Sequence, residues 1–179
     1  MGAPEWIARF QGLLASAAHL QTAVLHAAEH LPGFQFAETM RGTVSFAGTD
    51  TGLPAGERRI VLDLHAQAES LGGYLREGSV ALSGTASIDG VVASAPVTGS
   101  IWIWPHRQIV RYELSFPAAG RSLQFAGQKD VRLLDFRYTM ATLPAKLYDE
   151  HGHEAGSATV EFDWADLPAF LRSFRRLPA

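Results

Sequence analysis

The feature that most constrains the fold is a run of short alternating segments between residues 34 and 163. Apolar and polar residues alternate in about eight of these segments, with turn signals between most of them. No helix is expected between these segments, and they follow one another too closely for the crossover connections of a parallel sheet. Sequential hairpin-linked strands favour a mainly β fold, either a lipocalin-like, antiparallel up-and-down β-barrel or a two-sheet sandwich. The sequence leaves both architectures open.

Helices are expected on either side of this β-domain. Apolar residues recur every three or four positions over residues 4–31, and Pro32 and Gly33 end the pattern. This amphipathic helix should dock on the protein's own sheet or on a second copy, which would give a homodimer. A shorter helix is expected over residues 164–177. No linker interrupts the chain, so residues 1–179 are expected to form a single domain.

Two tryptophans suggest where the N-terminal helix docks. Trp102 and Trp104 lie on one face of a predicted strand, and Ile101 and Ile103 lie on the other. Both faces of that strand should therefore be covered. We expect the tryptophans to pack beneath the helix, with an aromatic ligand-binding wall as the alternative.

Composition excludes several classes of function. The 179 residues are 47% hydrophobic and 18% charged, as in a globular protein. A net charge of −3 gives no basic field for a nucleic-acid partner. The absence of cysteine excludes disulfides, thiol nucleophiles and cysteine-ligated zinc. Without an apolar run of ~20 residues or a basic N-terminal region, we expect no membrane span and a cytoplasmic location.

Two charged residues fall where the strand alternation requires apolar side chains. Lys129 lies on the same side of its predicted strand as Leu123 and Phe125, and Glu38 lies on the same side as Phe36 and Met40. Because an unpaired buried charge is very costly, the two side chains should form an ion pair inside the sheet. Alternatively, a bulge near Gly127 turns the lysine outward. An inward pair could be purely structural or could anchor a ligand.

The candidate ligand-binding residues follow from this pair. They are Glu38, Lys129, Tyr112 and Met40. No catalytic residue, metal site or cofactor is predicted. The histidines on the N-terminal segment and in "HGHE" lack the further ligands that zinc requires, and a solvated surface explains them. The glycines inside predicted strands, Gly84, Gly99 and Gly127, indicate a strongly curved sheet or close approach of the backbone.

Three stretches resemble a known module. They are the "ETMRG" strand, the "YELSFPAAGRSLQFAGQK" hairpin and the "TLPAKL" strand. Together they are similar to a β-rich module that accompanies some long bacterial oxidoreductases of the glucose-methanol-choline type, over residues 34–163. The flavin-binding glycine motif of those enzymes is absent here. The resemblance therefore implies an accessory or ligand-holding module rather than an oxidoreductase.

The sequence thus favours a non-catalytic binding or accessory domain that holds a small apolar or lipid-like ligand in a barrel pocket. Two alternatives stay open. One is an enzyme that uses Glu38 and Lys129, with Tyr112, as acid–base groups. The other is an interaction protein that dimerises through its N-terminal helix.

Overall fold

A computed structural model describes residues 31–46, 52–104, 107–132 and 136–177, without the side chains of residues 136 and 137. Nine antiparallel strands dominate these ranges. They are β1 (Pro32–Phe46), β2 (Gly56–Ser70), β3 (Ser79–Ile88), β4 (Val92–Trp104), β5 (Ile109–Ala118), β6 (Arg121–Asp130), β7 (Thr142–Tyr148), β8 (Glu154–Phe162) and the two-residue β9 (Arg175–Arg176).

The first eight strands form a closed barrel. Each strand from β2 to β7 pairs with the next along the chain, and β1 completes the circle by pairing with both β2 and β8. The length of β1 permits this. It pairs with β2 from Pro32 to Phe46, and with β8 only from Met40 onward. The prediction of an antiparallel barrel is confirmed, and the two-sheet sandwich is wrong.

The strand alternation places apolar side chains inside the barrel. The following interior side chains are less than 2% exposed: Phe116, Phe125, Met40, Ile60, Leu62, Leu64, Ile88, Ile101, Leu123, Leu143, Leu147 and Val44. Two of the strand glycines lie where the backbone of the neighbouring strand leaves no room for a side chain. A Cβ on Gly84 would lie 2.0 Å from the backbone oxygen of Asp63, and one on Gly99 would lie 2.1 Å from that of Glu113. Close approach therefore explains both glycines, as predicted.

Two short helices lie between strands, where the sequence pattern predicts none. Helix α1 (Leu71–Glu77) follows β2, and helix α2 (Phe136–Ala141) precedes β7. Local capping explains α1. The Ser70 hydroxyl accepts a hydrogen bond from the Gly73 amide, and Gly78 ends the helix with a positive φ of 69°. The expectation of strands without intervening helices is therefore wrong.

Helix α2 replaces the first part of a predicted strand. The alternation favours a strand over residues 137–149, but β7 begins only at Thr142. Thr142 pairs with Glu161, and β8 ends at Phe162. Residues before Ala141 consequently have no β8 partner, and they form a helical turn instead.

The C-terminal helix is shorter than predicted. A 3₁₀ turn (Trp164–Asp166) leads into α3 (Leu167–Ser173), and the next residues form β9 against β1. The Ala37 amide donates to Ser173 Oγ at 2.8 Å, and the Leu177 amide donates to the Gly33 carbonyl at 2.9 Å. Hydrogen bonds to β1 therefore end the helix before residue 177.

The two ends of the barrel carry different connections. The turn end carries the short hairpin connections, such as Ala119 and Gly120 between β5 and β6. Both residues have positive φ, which suits the right-handed twist of a two-residue hairpin. The helix end carries α1, α2 and the C-terminal segment with α3. It is also where β1 begins.

The N-terminal helix predicted over residues 4–31 lies, apart from Leu31, outside the described residues. Its docking on Trp102 and Trp104 and its role in a dimer therefore stay predictions. Both tryptophans are partly buried. Across the described ranges, no helix is long and apolar enough to cross a membrane.

Candidate functional site: an apolar cavity at the helix end

A cavity of about 510 Å³ occupies the helix end of the barrel. Residues of five strands, of α1 and α2 and of the C-terminal segment surround it. The lining is mostly aromatic and aliphatic, with two charged side chains: Phe34, Phe36, Glu38, Tyr74, Ile101, Ile103, Val110, Tyr112, Lys129, Met140, Phe162, Trp164, Leu167, Phe170 and Phe174. A volume of this size suits a small organic ligand.

Glu38 extends into the cavity from β1. It lies between Phe36 and Met40 on the inward side of the alternation, and its side chain is 10% exposed. Tyr112 reaches it from β5 across the barrel, and the phenol donates a hydrogen bond of 2.9 Å to Glu38 Oε2. Barrel closure brings the two residues together, because they are 74 positions apart in the chain.

Lys129 enters the same cluster from β6. Its ammonium lies 3.8 Å from Glu38 Oε1 and donates a hydrogen bond of 2.9 Å to the Met140 carbonyl. It also lies 5.3 Å from the centre of the Tyr112 ring, within cation–π range. The β5–β6 pairing runs without a register shift from Ala118 to Ile109, so no bulge turns the lysine outward. The predicted inward pair is confirmed.

Burial shifts the proton affinities of this polar cluster, which comprises Glu38, Tyr112 and Lys129. Desolvation lowers the pKa of Lys129 below its ordinary value, while the Glu38 carboxylate acts in the opposite direction. Desolvation raises the pKa of Tyr112 well above 10.0, and the Glu38 charge adds to that increase. Tyr112 is therefore a neutral hydrogen-bond donor at physiological pH.

The barrel wall opens beside Lys129. Strands β6 and β7 pair only from Gln124 to Gly127, so the last three residues of β6 have left β7. Pro144 stands at the next position of β7, where it has no amide hydrogen to continue the ladder. Lys129 lines both the interior cavity and a cleft on the outside of this opening. Helix α2 lies there and supplies the Met140 carbonyl.

Aromatic rings from the C-terminal segment cover one side of the cavity. Phe174 stacks on Phe36 with ring centres 4.9 Å apart, and Phe170 contacts Phe36 edge-on at 5.7 Å. Phe170 also packs edge-on against Phe162. Phe174 nevertheless remains 46% exposed. An apolar surface thus extends from the cavity to the solvent.

The structure brings together three of the four predicted ligand-binding residues. Glu38, Lys129 and Tyr112 meet in the cavity. Met40 lies two positions farther along β1, is fully buried, and does not line the cavity. The sequence interpretation missed Phe170 and Phe174. Their spacing with Leu167 along the predicted C-terminal helix is helical and could have indicated an inward face.

The histidine candidates of the N-terminal segment lie outside the described residues, and those of "HGHE" have a structural role. His151 and His153 lie at the tip of the β7–β8 hairpin, where their backbone amides donate to Asp149 Oδ1 at 2.9 and 2.8 Å. These hydrogen bonds shape the turn. Among the described residues, no group of three acidic or histidine side chains could hold a metal ion.

Comparisons with protein-family models, with curated proteins and with solved structures find no match to this chain. The resemblance to an accessory module of glucose-methanol-choline oxidoreductases therefore stays a prediction.

Proposed function

We propose that this protein is a non-catalytic binding or accessory domain, which holds a small apolar or lipid-like ligand at the helix end of its barrel. The observation that carries the proposal is the cavity of about 510 Å³ with an almost wholly apolar lining. Removing the apolar surface of a ligand from water would supply most of the affinity.

The polar cluster supports a binding role. Tyr112 donates to Glu38, and Lys129 donates to the Met140 carbonyl, so each of these groups already has a partner. Such a cluster can orient one polar atom of a ligand while the rings hold its apolar part. The barrel would then resemble lipocalin-like proteins in its manner of binding, with β-strands for walls and a ligand at one end.

The lowered pKa of Lys129 is the specific observation that favours an enzyme as the second candidate. In that case Glu38 and Lys129 would act as an acid–base pair. The raised pKa of Tyr112 argues against the phenol as a proton acceptor near neutral pH. Non-catalytic binding requires no further group, so we favour it.

Two measurements on the same compounds separate the candidates. A panel of small apolar compounds is screened for an increase in Tm, which a ligand of the folded state must cause. Native mass spectrometry then checks whether the bound compound is recovered unchanged. We expect stabilisation without a new mass. Turnover that Glu38→Gln abolishes in a folded protein would replace binding with catalysis, and no stabilisation by any compound would contradict both.

The wider biological setting is proposed on the sequence alone. A cytoplasmic module that serves a larger oxidoreductase, acting without a nucleic-acid partner, agrees with the composition and with the resemblance. Dimerisation through the N-terminal helix is the remaining alternative. Size-exclusion chromatography with light scattering tests it, because a monomer at all concentrations would exclude such a dimer.

A further inference from the structure

The spacing of the ion pair leaves a place for one more polar atom. Lys129 Nζ and Glu38 Oε1 are 3.8 Å apart, whereas a direct hydrogen bond between such atoms is about 2.9 Å long. An oxygen atom about 2.8 Å from each of them fits this separation. Both side chains line the cavity, so a ligand can bring such an atom to them.

The remaining hydrogen-bonding capacity of Glu38 and Lys129 determines which chemical group can bind between them. Glu38 Oε2 already accepts from Tyr112, and one of the three ammonium hydrogens of Lys129 is donated to the Met140 carbonyl. Glu38 Oε1 can still accept, and the ammonium can still donate. A hydroxyl group satisfies both at once, because it donates through its hydrogen and accepts through its lone pairs. A carbonyl or an ether could only accept.

The charge of the site selects against ionised ligands. Glu38 and Lys129 together carry no net charge, and their side chains are 10% and 3% exposed. A carboxylate would bring a second negative charge next to Glu38, and an ammonium would bring a second positive charge next to Lys129. In a poorly solvated cavity a third charge without its own partner is strongly disfavoured.

From this geometry we infer that the ligand is a neutral amphiphile with a hydroxyl head group, which donates to Glu38 and accepts from Lys129 while its hydrocarbon part lies among the rings. The inference rests on the proposed function. It defines the class of ligand as apolar alcohols, as opposed to fatty acids or alkyl amines.

The test uses three ligands that share one alkyl chain. Decanol, decanoate and decylamine compete at neutral pH with N-phenylnaphthylamine, a fluorescent apolar probe, for the intact protein. The wild type should bind decanol at least about tenfold more tightly than either ionised compound, a difference of 1.4 kcal/mol. Lys146→Met, which breaks an exposed ion pair outside the cavity lining, is the control and should keep this order of affinities.

Substitutions at Glu38 and at Lys129 should change the affinity order of the three ligands in opposite directions. Glu38→Gln leaves the Lys129 charge without a counter-charge, so decanoate should become the preferred ligand. Lys129→Met leaves the Glu38 charge alone, so decylamine should become preferred. Circular dichroism confirms folding, and if Lys129→Met does not fold, the nearly isosteric Glu38→Gln carries the test.

The possible results distinguish a failure of the inferred hydroxyl head group from a failure of the proposed binding function. Equal or tighter binding of decanoate by the wild type would overturn the inference, and so would an unchanged order in Glu38→Gln. Failure of all three compounds to displace a bound probe would also overturn it. Failure of the probe itself to bind the wild type would instead contradict the proposed function.

Discussion

The inward-facing side chains differ between the two ends of the barrel, although the same strand alternation runs through both. At the turn end the inward positions carry apolar side chains such as Phe116, Leu123 and Ile60, each 1% exposed. At the helix end the same alternation carries Glu38 and Lys129 beside a cavity of about 510 Å³. The turn end is a packed core, whereas the helix end combines buried charge with empty volume.

This difference separates a region that stabilises the fold from a region that has room for a ligand. Filled apolar interiors stabilise a fold, while a cavity and a buried ion pair reduce what packing could have contributed. Short hairpins hold the turn end, where the β5–β6 connection needs only Ala119 and Gly120. Residues of α1, α2 and the C-terminal segment contribute to the cavity lining. Packing at the turn end therefore permits a less densely filled site at the helix end.

The largest loss of stability should follow from a substitution at the packed turn end. Phe116→Ala removes a ring that is 1% exposed, and we expect a loss of about 3–5 kcal/mol in the free energy of unfolding. Phe174→Ala is the matched control at the helix end, and it should cost clearly less because Phe174 is 46% exposed. Urea unfolding measures both. Equal losses would contradict the contrast between the two ends.

The second-largest loss of stability should come from breaking the buried ion pair between Lys129 and Glu38. Lys129→Met leaves the Glu38 charge without its partner and should cost roughly 3 kcal/mol. The double variant with Glu38→Gln should cost less than the sum of the two single variants, since it leaves no isolated charge. A double-mutant cycle measures this interaction energy. Strictly additive single effects would show that the two charges are not coupled.

Tyr112→Phe should give a smaller and pH-dependent effect. Losing the hydrogen bond to Glu38 should cost about 1.5 kcal/mol at neutral pH. Because the pKa of Tyr112 is raised in the folded protein, the phenol ionises first in the unfolded chain. Its stabilising contribution is therefore complete below about pH 9 and decreases as the pH rises above its ordinary pKa of 10.0.

Urea unfolding of the wild type and of Tyr112→Phe across this pH range tests the predicted direction of the pH dependence. The difference between the two proteins should be constant below about pH 9 and should shrink at higher pH. A difference that grows with pH would mean that the phenol ionises more readily in the folded protein.

The smallest effect is expected at an exposed ion pair. Lys146 Nζ lies 2.6 Å from Glu154 Oε2, closer than the buried pair, but the two side chains are 56% and 48% exposed. Water and salt screen such a pair, so Lys146→Met should leave Tm unchanged within measurement error. A decrease comparable to that of Lys129→Met would show that burial does not distinguish the two lysines.

The inward side of the two charges is only partly predictable from the sequence. A period of two places Glu38 and Lys129 on the same side as the apolar residues of their strands. Whether a bulge turns Lys129 outward depends on strand pairing, and the unbroken register of β5 with β6 excludes it. The sequence does not distinguish a closed barrel from a sandwich. Closure depends on the pairing of β1 with β8, and these strands are distant in the chain. An alternating pattern continues through residues 137–141, where the helix forms because β8 offers no partner.

The aromatic side of the cavity depends on contacts that the sequence pattern does not specify. Phe170 and Phe174 have helical spacing, but their place over Phe36 follows from hydrogen bonds between Ser173 and Ala37 and from the pairing of β9 with β1. These contacts join the two ends of the described chain. Propensity and periodicity give no information about them.

The central claim is that the helix end of the barrel binds an apolar ligand, and a titration with N-phenylnaphthylamine tests it most directly. Val110 lines the cavity, while the neighbouring Arg111 is exposed on the opposite face of β5. We predict saturable fluorescence with one probe per chain for the wild type and for Arg111→Trp, and weaker probe binding by Val110→Trp, whose larger side chain occupies part of the cavity. The absence of saturable binding by the wild type, or equal binding by all three folded proteins, would contradict the claim.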